Sequence, residues 1–88
     1  MRPDTRPKLG KGVKLRRDRD GGVMLLVPEG ALVLNSSAAV ALELVDGERT
    51  LSQIVETVVQ QFEVEPARAR ADITDLFDRL AERRFVRG

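Results

Sequence analysis

The sequence contains no cysteine, histidine, tyrosine or tryptophan, and its only aromatic residues are three phenylalanines. Each absence removes a class of function. Without cysteine there is no disulfide frame, no thiolate metal site and no thiol nucleophile. Without histidine there is no imidazole base and no zinc site of the usual ligand types. No apolar run approaches the roughly 18 residues of a membrane span, and the polar, proline-containing start is no signal peptide. The expectation is a soluble cytoplasmic protein with no membrane role.

The groups left for chemistry are carboxylates, lysines, arginines and a few hydroxyls. Asp72, Asp75, Asp78 and Glu82 could be a metal or acid–base cluster. However, Arg68 and Arg79 stand four residues from Asp72 and Asp75 respectively, the pattern of a solvated, ion-paired helix face. Ser36, Ser37 and Thr50 suit helix starts better than nucleophiles. The glycines of "LGKG" and "DGG" match neither a phosphate loop nor a dinucleotide fingerprint. The chain is therefore expected to be no enzyme by itself and to hold no cofactor and no metal.

What is present is a single small core and an uneven charge. The 88 residues are 42% hydrophobic, enough for one domain. The net charge of +1 divides into +6 over residues 1–19 and −5 over residues 20–88. A basic start on an acidic body suits solubility or the steering of a partner.

Residues 1–12, "MRPDTRPKLGKG", read as a basic flexible arm, and residues 13–88 as the domain proper. Val13, Leu15 and Arg17 alternate with Lys14 and Arg16 in a first strand. "RDGG" is a hairpin turn, because glycine reaches positive φ easily. "VMLLV" is a second strand, apolar on both faces. After Pro28-Glu29-Gly30 comes a third, Ala31 to Asn35. Its two faces are also both apolar, Ala31 and Val33 on one and Leu32 and Leu34 on the other.

Three helices follow. Asn35, Ser36 or Ser37 can cap the first, which runs to about Val45 with Asp46-Gly47 as its stop. "TLSQ" is a capping box for the second, whose apolar positions Leu51, Ile54, Val55, Val58, Val59 and Phe62 keep a 3.6-residue period. Glu65-Pro66 starts the last, with Ala69, Ile73, Leu76, Phe77 and Leu80 as its core stripe and Phe85 and Val86 folding back. The fold class is α+β: a three-stranded antiparallel meander followed by three helices, winged-helix-like.

Three functions fit such a fold. Nucleic-acid binding needs a basic reading helix, but the middle helix has no Lys or Arg and the last mixes five arginines with three aspartates and a glutamate. No nucleic-acid partner is expected. A peptide-binding module could instead use the edge of the third strand, where backbone hydrogen bonds give affinity and side-chain pockets give specificity. Self-association, as a homodimer through edge pairing or hairpin exchange, would use the same unmet edge.

"RPKLGKGVKLRRDRDGG", "VMLLVPEGALVLN", "AAVALELVDGERTLSQIV" and "ADITDLFDRLAERRFV", in that order, resemble the PqqD family of pyrroloquinoline quinone biosynthesis over nearly the whole chain. The most specific parts are "VPEGALVLN", the block Leu44, Asp46, Gly47, Arg49, Thr50, Ile54 and Val55, and the spacing of the closing segment. The resemblance implies a peptide chaperone and leader-peptide recognition domain. It would bind the precursor peptide PqqA and present it to the radical SAM enzyme PqqE, which cross-links a Glu and a Tyr of the precursor. It further implies that the peptide adds as a strand beside Ala31, Leu32, Val33, Leu34 and Asn35, with Ala69, Asp72, Ile73 and Leu76 as the groove wall. Some members are fused to the PqqC oxidase, of which the Met1 start and short arm give no sign.

Overall fold

A computed structural model describes residues 1–88. In chain order the elements are β1 (Lys8–Leu9), β2 (Lys14–Arg17), β3 (Val23–Val27), β4 (Gly30–Leu34), α1 (Ser36–Glu43), α2 (Leu51–Phe62), α3 (Pro66–Glu82) and β5 (Val86–Arg87). The meander β2-β3-β4 is antiparallel, as the strand pattern implies. A second sheet, β1 paired with β5, is an addition that local periodicity could not signal. Two-residue strands carry too few side chains to show alternation.

Register sorts the side chains of the meander. Leu15, Leu25 and Leu32 form one cross-strand row on the inner face, and Arg17, Val23 and Leu34 form the next. Arg16, Met24 and Val33, with Lys14, Leu26 and Ala31, form the outer face. The inner rows meet the helices across a core that includes Leu25, Leu42, Ile54, Val58, Phe77 and Val86, all almost completely buried. The outer face has no layer over it. Val33 is 85% exposed there.

The helices begin where their sequences say. Asn35 caps α1, its Oδ1 accepting from the Ala38 N–H at 2.8 Å. Thr50 and Gln53 close the reciprocal capping box at 3.1 and 2.8 Å. Glu65 caps α3 through the N–H groups of Ala67 and Arg68, ahead of Pro66 at the first helical position. α1 ends at Glu43, earlier than the apolar stripe through Val45 suggests, because Asp46 organises the turn that follows. Its Oδ1 accepts from the N–H groups of Arg49 and Glu48, and Gly47 adopts φ +79°. Those bonds, with the Arg49 guanidinium beside it, hold the Asp46 carboxyl below its usual range.

The first dozen residues are not a free arm, and their expected separation from the domain fails for a physical reason. Pro7 is buried, and the carbonyls of Thr5, Pro3 and Pro7 accept from the N–H groups of Leu51, Ser52 and Gly47 at 2.8, 3.0 and 2.9 Å. Leu51 and Ser52 carry orphan donors of the first turn of α2, which an ordered chain can satisfy as well as a side chain can. The N-terminal ammonium pairs with Asp78 on α3. The Gly10 N–H then reaches the Phe85 carbonyl at 2.8 Å, so close that a Cβ on Gly10 would sit 2.1 Å from the Arg84 oxygen.

Deleting residues 1–7 leaves those three N–H groups without their partners. At about 1 kcal/mol each, the domain is expected to lose about 3 kcal/mol in equilibrium urea unfolding. An unchanged midpoint would show that the segment is no part of the fold.

Candidate functional site

One hydrogen bond sets the direction of every backbone group in the meander. The Asp18 N–H donates to the Gly22 carbonyl at 2.8 Å across the first hairpin. Hydrogen-bonded pairs alternate along an antiparallel ladder, so Gly22, Met24 and Leu26 turn their N–H and C=O groups toward β2. Val23, Leu25 and Val27 therefore turn theirs toward β4, where they meet Leu34, Leu32 and Gly30. Ala31 and Val33 are left pointing away from the sheet. Two N–H and two C=O groups stand unpaired by the ladder along the outer edge of β4.

Beside that edge, α3 stands off from the strand. Leu32, Val33 and Leu34 line a cleft of about 450 Å³, whose far side is Leu76, Leu80 and Arg83. It continues past the end of β4 into a hollow of about 260 Å³ between Asn35, Ser37 and Ala38 on one side and Asp72, Ile73 and Leu76 on the other. A smaller hollow of about 100 Å³, lined in part by Val58, Val64 and Ala69, extends the trough toward the start of α3. β4 and α3 thus run antiparallel as the two banks of one trough. Its β4 end is leucine-rich, its middle carries Asn35, Ser37, Asp72 and Asp75, and the end near the start of α3 is apolar again through Val58, Val64 and Ala69.

The residues singled out from sequence mostly meet here, in unequal roles. Leu32 and Leu34 are half-buried and turn toward the helical layer. Val33 offers both its backbone and an exposed side chain at the lip. Leu76 lines two of the hollows and is half-buried, a good position for a ligand-touching side chain. Ile73, Leu80 and Ala69 are 5%, 5% and 6% exposed, so all three form the floor of the trough and part of the core rather than its wall. Asn35 is engaged as the α1 cap. Asp72 lies at the rim and pairs loosely with Arg68 at 3.8 Å. Ala31 lines none of these hollows and contributes its edge backbone instead.

The C-terminal half of the far side, Arg79, Leu80, Glu82 and Arg83, was missed by sequence reasoning. The signal was available: Arg79, Leu80 and Arg83 follow Leu76 at helical spacing, on the same face. No three acidic side chains gather as cation ligands anywhere in the fold. No helix is long and apolar enough to cross a membrane.

Residues 22–86 match the family model described as Coenzyme PQQ synthesis protein D (PqqD). The chain belongs to the PqqD family. It is 36% identical over 85 residues to the PqqA binding protein of Xanthomonas axonopodis pv. citri, covering 96% of this chain and 92% of that one. It is 39% identical over 81 residues to the bifunctional coenzyme PQQ synthesis protein C/D of Methylorubrum extorquens, covering 91% of this chain and 22% of the longer protein. Two PqqD structures share the fold. The solution structure of the PqqD part of Methylobacterium extorquens PqqCD, described as a functional and stand-alone RiPP recognition element, superposes with a TM-score of 0.77 at 37% identity, over 93% of this chain and 88% of that one. The crystal structure of PqqD from Xanthomonas campestris gives 0.62 at 30% identity, over 100% and 99%.

The different depths of the wall residues can be checked. Ile73→Asp places a carboxylate in the core and is expected to cost about 3–5 kcal/mol in thermal or urea unfolding. Asp75 is exposed and paired with Arg79 at 3.2 Å, so Asp75→Ala is expected to stay within about 0.5 kcal/mol of the parent.

Proposed function

We propose that this PqqD-family chain is a peptide-recognition protein without catalytic activity of its own. It binds the precursor peptide PqqA and presents it to PqqE in the cytoplasm. The peptide lies along β4 as an added strand, bonded to the N–H and C=O groups of Ala31 and Val33, while alternate side chains enter the cleft against Leu76 and Leu80. The observation that carries this reading is an unpaired strand edge, at Ala31 and Val33, that runs beside a leucine-lined cleft. The name of the Xanthomonas relative supplies the peptide.

Magnitudes indicate where affinity resides. Four edge hydrogen bonds at about 1 kcal/mol net give about 4 kcal/mol. Micromolar affinity needs about 8 kcal/mol before the cost of ordering the peptide. The missing part, about 4 kcal/mol, corresponds to about 160 Å² of apolar surface removed from water. The leucine-lined cleft beside β4 can supply that area, and exposed charges at its rim cannot. A second copy pairing along β4 would use the same Ala31 and Val33 groups, so self-association by this edge and peptide binding exclude one another.

The assigned parity turns a proline scan into a sharp test. The N–H of Val33 points outward, so Val33→Pro should leave the domain folded while weakening PqqA binding by about 1–3 kcal/mol in calorimetric titration. The N–H of Leu32 points into the sheet, so Leu32→Pro should unfold or severely destabilise the domain. Full affinity in a folded Val33→Pro variant would place the peptide elsewhere.

A further inference from the structure

The two edges of the meander are built differently. Three of the four residues of β2 are basic, Lys14, Arg16 and Arg17, and all three are exposed. Charge of this kind blunts a strand edge against pairing with another chain. β4 carries no charged residue, and along its outer edge Ala31 and Val33 keep unpaired N–H and C=O groups. Val33 is also 85% exposed, while the only other exposed large apolar side chain, Val64, reaches 40%. A single surface valine is ordinary. This one stands at the open hydrogen-bonding position itself.

The pleat decides what must lie beside it. Residues directly opposite one another in a ladder put their side chains on the same face of the sheet, close enough to touch. The peptide residue opposite Val33 therefore carries its side chain on the outer face. Its two chain neighbours carry theirs to the inner face, into the cleft beside Leu32 and Leu34. On the outer face Val33 is flanked by its cross-strand partner Met24, which is half-buried, and Arg16 comes next in that row. Three strand spacings of about 4.8 Å, roughly 14 Å, separate the Arg16 backbone from the added strand, more than the Debye length at physiological salt. Val33 and Met24 lie nearer, so the contact offered there is apolar.

We propose that Val33 is a specificity-determining side chain and that the protein reads its peptide on both faces. One apolar residue of the peptide packs against Val33 on the outer face, and the residues before and after it enter the leucine-lined cleft. The ligand is then a segment with successive apolar residues rather than an alternating one. This inference rests on the strand-addition reading above, and it assigns the half of the peptide's side chains that the cleft does not receive.

The test changes the side chain and leaves the backbone alone. Val33→Thr keeps the β-branched shape, the N–H and the strand propensity, and replaces one methyl group by a hydroxyl. Because Val33 is exposed in the free protein, thermal unfolding of the variant should match that of the parent. Affinity for the PqqA peptide, measured by calorimetry, is expected to fall about three- to fivefold in Val33→Thr and to be kept in Val33→Ile. In the parent complex, NMR should show nuclear Overhauser contacts between the Val33 methyl groups and an apolar side chain of PqqA.

Parent affinity in Val33→Thr, or an equal loss in Val33→Ile, overturns the proposal. So does the absence of those methyl contacts, which is read on the parent and does not depend on any variant folding. If Val33→Pro loses PqqA while Val33→Thr keeps it, strand addition stands and the side-chain inference alone falls. A change in self-association of the free Val33→Thr protein, with PqqA affinity kept, would assign Val33 to a second copy and also overturns it. A parent that does not bind PqqA at all removes the peptide-recognition reading, and this inference with it, and is distinguishable from every other outcome.

Discussion

Each residue of a central strand has one backbone N–H and one C=O, and can spend them on only one neighbour. In this protein that constraint acts through β3. The bond from the Asp18 N–H to the Gly22 carbonyl commits Met24 and Leu26 to β2, which leaves Val23, Leu25 and Val27 for β4. β4 then has Gly30, Leu32 and Leu34 occupied, with Ala31 and Val33 free. The same parity fixes side chains, because a strand residue whose side chain points to the core cannot also send it outward. Leu32 and Leu34 thus face the helices from bonded positions, while Val33 stands 85% exposed at a free one. Exposed edges of this kind invite aggregation, and proteins normally blunt them. Retaining one beside an apolar cleft is the physical basis for the peptide-binding function proposed here.

The cleft stays open because α3 is held from its other side. It packs on α2 and α1 through Ile73, Phe77 and Leu80, and its C-terminal end is tied to β1 through β5. The first residues of the chain lie over the start of α2, satisfying its N–H groups and placing the terminal ammonium on Asp78. In a domain of 88 residues, buried area is scarce and every satisfied helix terminus counts. A segment that looks dispensable by composition is therefore structural by hydrogen bonding.

Charge is distributed to match this division of labour. On the solvent side of α3, Arg68 with Asp72 and Arg79 with Asp75 neutralise each other and add little stability, as exposed pairs usually do. The rim of the cleft is consequently close to neutral, suited to a ligand held by burial and backbone bonds.

Local chemistry was readable from the sequence wherever a few neighbouring residues decide the outcome. The 3.6-residue stripe of α2, the Thr50–Gln53 capping box, the Glu65-Pro66 start and the alternation of the meander all appear as written, because capping and amphipathicity act over one or two turns. The apolar run from Ala31 to Leu34 also forms a strand, at one of the two edges of the meander. Other features needed the fold. The β1–β5 pair joins residues nearly eighty positions apart, and Lys8 and Leu9 carry no sign of it. The extension of the wall to Arg79 and Arg83, and the burial of Ile73 and Leu80 at its floor, depend on how far α3 stands from β4. The sequence by itself determined which segments are strands and helices and which faces are apolar. Tertiary structure alone decided which backbone groups stay unpaired and which charges end up together, because both depend on pairings between segments far apart in the chain.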